Sequence, residues 1–94
     1  MVEPAFVLLV ARGAAGSDAT RSRLGITVSR KVGPAVTRNR VKRHVREWFR
    51  GSRKKLQAGI DLVVIGRSVA AGLSGRETQG VLCRLARRAG ATRE

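Results

Sequence analysis

The sequence predicts an α+β fold, a two-layer α/β sandwich in the order β-β-α-β-α. Three observations carry this. Residues 23–29 alternate apolar and small or polar side chains with period two, as a half-buried strand does. Two short apolar runs, residues 5–11 (AFVLLVA) and 60–65 (IDLVVI), have the length and β-branched content of strands. After Gly33-Pro34 the apolar period changes to that of a helix, and it does so again after Ser74. Helices laid on one face of a sheet then satisfy both patterns.

Each element has its own signals. Residues 5–11 lie between Pro4 and Gly13 and read as a strand covered on both faces, or as an edge strand beside a helix. Residues 12–22 (RGAAGSDATRS) read as a loop, short enough for the first two strands to pair antiparallel. In the second strand Leu24, Ile26 and Val28 share one face and Gly25, Thr27 and Ser29 the other. Pro34 suits a helix start, where its missing N–H costs nothing. Val41, Val45, Trp48 and Phe49 then fall in an arc of about 100° and form the core stripe of a helix ending near Gly51. Residues 60–65 are the most apolar strand and are expected at the centre of the sheet. Ser74 and Glu77 have the spacing of a capping box. The helix they open carries Val81, Leu82, Leu85 and Ala89 inward and stops at Gly90. Residues 91–94 are expected to fray. The lone Cys83 excludes an intrachain disulfide and is expected to be a small buried thiol.

Charge sets the functional class. The 94 residues carry 20 basic and 6 acidic side chains, a formal net charge of +14. Eleven of the basic residues lie between Arg30 and Lys55. Such self-repulsion calls for a polyanionic partner: nucleic acid first, through counterion release, and an anionic membrane surface second. The first helix holds Arg38, Arg40, Lys42, Arg43, Arg46 and Arg50, opposed only by Glu47. Solvated helix faces normally interleave both signs. Arg can grip a phosphate with two donors, while Lys acts as a point charge. Asn39 adds a neutral amide that can bond a base edge or a sugar, hold a hydrated metal, or cap a neighbour. Own chemistry is not expected. The carboxylates are scattered, the single His44 has no nucleophile beside it, and no Gly precedes a Lys, which excludes a phosphate-cradling P-loop. No apolar run approaches the ~20 residues of a membrane span, and the start of the chain lacks the basic region of a signal peptide. A single cytoplasmic domain over residues 1–94 is the expectation.

The stretch RLGITVSRKVGPAVTRNRVKRHVREWFR resembles the bacterial ribonuclease P protein subunit. That family joins a strand ending in Ser and two basic residues to a Gly turn and an R-N-R-x-K-R-x-x-R helix; residues 60–67 also resemble its D-x-V-V-I-x-R strand. The resemblance implies that the basic helix sits in an unusual left-handed βαβ crossover. It implies an RNA-catalysed endoribonuclease that matures the 5′ end of tRNA. The protein, inert alone, would bind the catalytic RNA and the 5′ leader of precursor tRNA and support Mg²⁺ ions required by the RNA-based holoenzyme. By motif match, Arg30, Lys31, Arg38, Asn39, Arg40, Lys42, Arg43 and Arg46 should contact RNA. Phe6, Leu8 and Thr27, with Asn39, Lys42 and Arg46, should line a leader cleft between the sheet and the basic helix. The chain departs from the family in lacking the usual N-terminal helix, which implies an exposed apolar patch near the first strand and a tendency to self-associate. It also carries Leu9 where an aromatic is common. A ribosomal-type or general RNA-binding domain is the alternative, and a membrane-surface helix a more distant one.

Overall fold

A computed structural model describes residues 1–12 and 22–92. Strand β1 spans Phe6–Arg12, β2 Arg23–Val28 and β3 Ile60–Gly66; helix α1 spans Ala35–Ser52 and α2 Gly75–Arg88. Two 3₁₀ turns, Arg30–Val32 and Ser68–Gly72, follow β2 and β3. The predicted loop over 12–22 falls almost wholly outside the described residues.

The sheet order is β1-β3-β2. β3 is central, as its composition predicts, and pairs antiparallel with β1 and parallel with β2. The expected β1–β2 hairpin does not form. Placing β3 between them lets the most apolar strand bond on both edges. The connection must then cross two strand spacings, about 10 Å, which some ten residues reach easily. The parallel β2–β3 pair makes β2–α1–β3 a crossover with α1 laid over the sheet.

One sheet face is the core. Phe6, Leu8 and Val10 of β1 register with Gly66, Val64 and Leu62 of β3, which in turn register with Val28, Ile26 and Leu24 of β2. Val41, Val45 and Trp48 of α1 and Leu82, Leu85 and Ala86 of α2 press onto that face, all buried. Gly66 lets α1 approach: a Cβ there would lie 3.4 Å from Val41 and 3.3 Å from Val28. The opposite face carries Val7, Leu9, Gly25, Thr27, Val63 and Ile65, and no described helix lies over it. β1 is therefore the edge strand beside a helix, covered on one face.

Local signals hold at the second helix. The Ser74 hydroxyl accepts from the Glu77 N–H at 3.1 Å, and the Ser74 N–H donates to Glu77 Oε1 at 3.0 Å. Gly90 takes the left-handed conformation, φ 73°, that ends the helix. Two expectations fail here. Cys83 is exposed, because Leu82, Leu85 and Ala86 take the inward positions and turn it outward. Residues 91 and 92 do not fray: Ala91 is fully buried, its carbonyl accepts from the Gln57 N–H at 2.8 Å, and Thr92 bridges to Leu56.

The N-terminus is tied down twice. The Met1 ammonium donates to the Leu8 carbonyl at 2.9 Å. Glu3 accepts from Arg84 at 3.0 and 3.2 Å, and Arg88 stands 4.0 Å away. The hydrogen bond from Arg84 holds the Glu3 carboxyl below its ordinary value of 4.5. No described helix is long and apolar enough to cross a membrane.

Two outcomes are expected. Val45→Asp places an unpaired charge in the core, costs on the order of 4 kcal/mol or more, and should abolish the cooperative melt seen by circular dichroism. Glu3→Gln tests the N-terminal tie. A depressed folded-state pKa stabilises above the unfolded value, and that stability is lost as pH falls through the folded value. The variant should therefore melt below the parent at pH 7, with the gap closing as pH drops below 4.5. A gap that stays constant with pH would refute the ionic role of Glu3.

Candidate nucleic-acid interface

The outer side of α1 follows from its inner side. Once Val41, Val45 and Trp48 face the sheet, Asn39, Arg43, Arg46 and Arg50 fall three or four positions apart on the outside, all exposed. They span about 16 Å of helix at 1.5 Å per residue. Together with Val36 and Arg40, Asn39, Arg43 and Arg46 line a shallow groove on this surface. Lys42 is half-buried and does not line it.

Little compensates this charge. Arg43 meets Glu47 at 3.9 Å with both side chains exposed, a pairing of small value. The other described carboxylates are engaged elsewhere: Glu3 with Arg84, Asp61 in a two-pronged bond to Arg23 at 2.9 Å, and Glu77 in the capping box. The Arg23 hydrogen bond holds the Asp61 carboxyl below its ordinary range. The first turn of α1 has no acidic residue and no side-chain cap. Its free N–H groups and the positive end of the helix dipole add to the arginine field.

The predicted RNA-binding residues do not form one uniform set. Arg30 and Lys31 are exposed on the 3₁₀ turn after β2. Arg38 is half-buried, and its Nε is enclosed with no partner among the described residues. Arg40 is exposed, but its Nη2 donates to the Ala71 carbonyl at 2.8 Å, fastening α1 to the second 3₁₀ turn. His44 is half-buried at the start of α2, where a Cβ on Gly75 would meet its ring at 3.5 Å.

The expected leader cleft is corrected. Phe6 and Leu8 are 0% and 1% exposed, because the space between sheet and basic helix is the core itself. Thr27 points to the opposite, open face and does not share a cleft with Asn39, Lys42 and Arg46. The open face is apolar, with Leu9 51% and Val63 37% exposed. At its end, where the parallel strands β2 and β3 finish, lies a groove of about 360 Å³ lined by Ser29, Lys31, Ile65, Arg67, Ser68 and Val69. Carboxyl ends of parallel strands are a common ligand position. Arg67 and Ser68 were missed as site residues. The signal was present, since Arg67 closes the D-x-V-V-I-x-R stretch, but only the parallel pairing brings it beside Lys31. Among the described residues no His, Cys, Asp and Glu side chains gather to hold a metal ion.

Comparison with known proteins follows the same lines. Residues 1–90 match the family model described as Ribonuclease P. The ribonuclease P protein component of Desulforapulum autotrophicum is 44% identical over 70 residues, 74% of this chain and 60% of that protein. That of Desulfosudis oleivorans is 51% identical over 65 residues, covering 69% and 54%. The chain thus spans just over half the length of these curated relatives. The solved structure of the Staphylococcus aureus RNase P protein superposes with a TM-score of 0.85 at 32% identity, over 97% of this chain and 80% of that one. The Thermotoga maritima RNase P protein gives 0.80 at 36% identity, over 94% and 80%. Strand, turn and basic helix thus recur together, in sequence and in space, and the chain belongs to the ribonuclease P protein family.

Proposed function

We propose that the chain is the protein subunit of a ribonucleoprotein endoribonuclease, binding the catalytic RNA and the 5′ leader of precursor tRNA to assist 5′ maturation of tRNA. The observation that carries this is the outer face of α1, a row of cations with almost no acidic neighbour on a helix whose inner face is locked in the core. The described residues bring no nucleophile and base together, and the bond breaking is assigned to the RNA. The Mg²⁺ required by the RNA is assigned to RNA phosphates. The protein's part is to neutralise phosphates and to hold a strand in register.

The two surfaces divide that work. Arg43, Arg46, Lys42 and Asn39 present donors to a folded RNA backbone. The open sheet face, with Thr27, Leu9 and Val63, and the strand-end groove with Lys31, Arg67 and Ser68 suit a single strand. Arg40 acts chiefly by fastening α1 to Ala71. The exposed apolar positions of β1 and β3 also give the free protein a surface for self-association.

Reconstitution with a bacterial catalytic RNA tests the role: the chain should rescue precursor-tRNA cleavage at low Mg²⁺. A chain that binds the RNA without rescue would be a general RNA-binding domain instead. Arg43→Ala with Arg46→Ala should lower the slope of log affinity against log salt by about 2, one for each lost phosphate contact. Arg40→Ala should change that slope by less than either of the other two and should instead lower the melting temperature. An equal slope change from all three would place Arg40 among the phosphate contacts.

A further inference from the structure

The least explained feature lies at the far end of α1 from the R-N-R sequence. A cavity of about 70 Å³ opens between the last turn of α1, the middle of α2 and the segment around Thr92. Trp48, 2% exposed, lines it, and so does Thr92. The indole Nε1 and the Thr92 Oγ1 are both enclosed and have no hydrogen-bond partner among the described residues. Buried polar atoms are nearly always partnered, so two orphans on one cavity mark a place for a group that bonds both. The walls are fixed. Gln57 donates to the Gly90 and Thr92 carbonyls at 2.9 and 3.2 Å, holding the Thr92 segment in place.

The chemistry of the lining selects the guest. Trp48 can only donate. Lys55 and Arg87 stand at the mouth, exposed and without an acidic partner among the described residues, and Ser52 adds a hydroxyl. Among the described residues no carboxylate lines the cavity. The Ser52 carbonyl, which would repel an anion, is already taken by the Lys55 and Leu56 N–H groups at 2.9 and 3.1 Å. Leu56 and Ala86 supply an apolar floor, both 1% exposed.

We propose that this cavity binds a terminal phosphate group, with Trp48 Nε1 and Thr92 Oγ1 bonding it from within and Lys55 and Arg87 closing on it from outside. A terminal phosphate offers three free oxygens to this set of donors. The cavity has room for the group but not for the two nucleosides that flank an internal phosphodiester. Along the helix the site begins about 12 Å from Arg40, at Trp48, and reaches about 18 Å, at Ser52, counted at 1.5 Å per residue, and its residues are not those of the proposed RNA face. The phosphate can belong to the end of an RNA strand or to a free nucleotide.

Trp48 is the only tryptophan and the chain has no tyrosine, so its fluorescence and its indole N–H resonance report on this cavity alone. The intact chain is titrated with inorganic phosphate, a nucleoside 5′-monophosphate, and a short single-stranded RNA with or without a 5′ phosphate. The indole resonance should move saturably with phosphate. Lys55→Ala with Arg87→Ala, both on the surface, should weaken that response by about tenfold or more, as expected for lost charge-assisted hydrogen bonds. Arg43→Ala with Arg46→Ala should leave it unchanged, although the same variant weakens precursor binding; the two readings thus fail separately. Trp48→Phe keeps the ring, removes the donor, and should abolish the extra thermal stability that phosphate gives the Arg43/Arg46 variant. A stronger response to the 5′-phosphorylated RNA than to the nucleotide assigns the group to an RNA end, and a stronger response to the nucleotide assigns it to a free nucleotide. An indole resonance unmoved by tens of millimolar phosphate, an undiminished response in the Lys55/Arg87 variant, or a saturable response to RNA of the same size with and without its 5′ phosphate would overturn the proposal.

Discussion

The packing of Val41, Val45 and Trp48 against the sheet is the contact on which the rest depends. These three side chains are nearly fully buried and set the rotation of α1 about its own axis. With that rotation fixed, the helical repeat leaves Asn39, Arg43, Arg46 and Arg50 nowhere to go but outward. A helix with the same charges and a weaker apolar stripe could roll, and its cations would spread over the surface. The interior of the domain therefore aims a charged row that touches none of it.

The few carboxylates reinforce this division. Glu3 ties the N-terminus to α2, Asp61 binds Arg23 across the β2–β3 pair, and Glu77 caps a helix. Each supports the scaffold, and only Glu47 lies on α1. Three of the four described carboxylates thus serve the scaffold, and the cations of α1 have only Glu47 beside them. Whatever binds the helix and not the unfolded chain adds to the stability of the fold. In the proposed role a polyanion removes the self-repulsion that the isolated chain must bear, so binding and folding stability are coupled through the same side chains.

Much of this was legible in the residues because it is local. The period change at Gly33-Pro34, the stripe of α1, the Ser74–Glu77 box and the Gly90 stop each depend on neighbours in sequence. The missed features depend on which strand lies next to which. The antiparallel β1–β2 pairing was a reasonable local expectation, yet β3 inserts between them, a choice made by long-range burial of its two edges. That insertion, with the helix above it, puts Phe6 and Leu8 in the core rather than in a cleft. It also carries Arg67 to the side of Lys31. Cys83 faces outward because it stands one position, about 100° of helical rotation, past the buried Leu82. The orphaned atoms of Trp48 and Thr92 had no sequence signal at all, since they arise where the chain's end folds back over Leu56.

The sheet also separates the two surfaces proposed for RNA. α1 lies over one face, while Thr27, Leu9 and Val63 occupy the other, and the strand between them is buried. A ligand on the open face cannot displace one on the helix by overlap. Each can be occupied while the other is filled, with the positive field of the whole chain favouring both. Under that proposal a protein that leaves the bond breaking to an RNA still raises the rate of another molecule's chemistry. In the proposed role it would hold two polyanions that repel each other against opposite sides of one small domain, and so offset part of the cost of bringing them together.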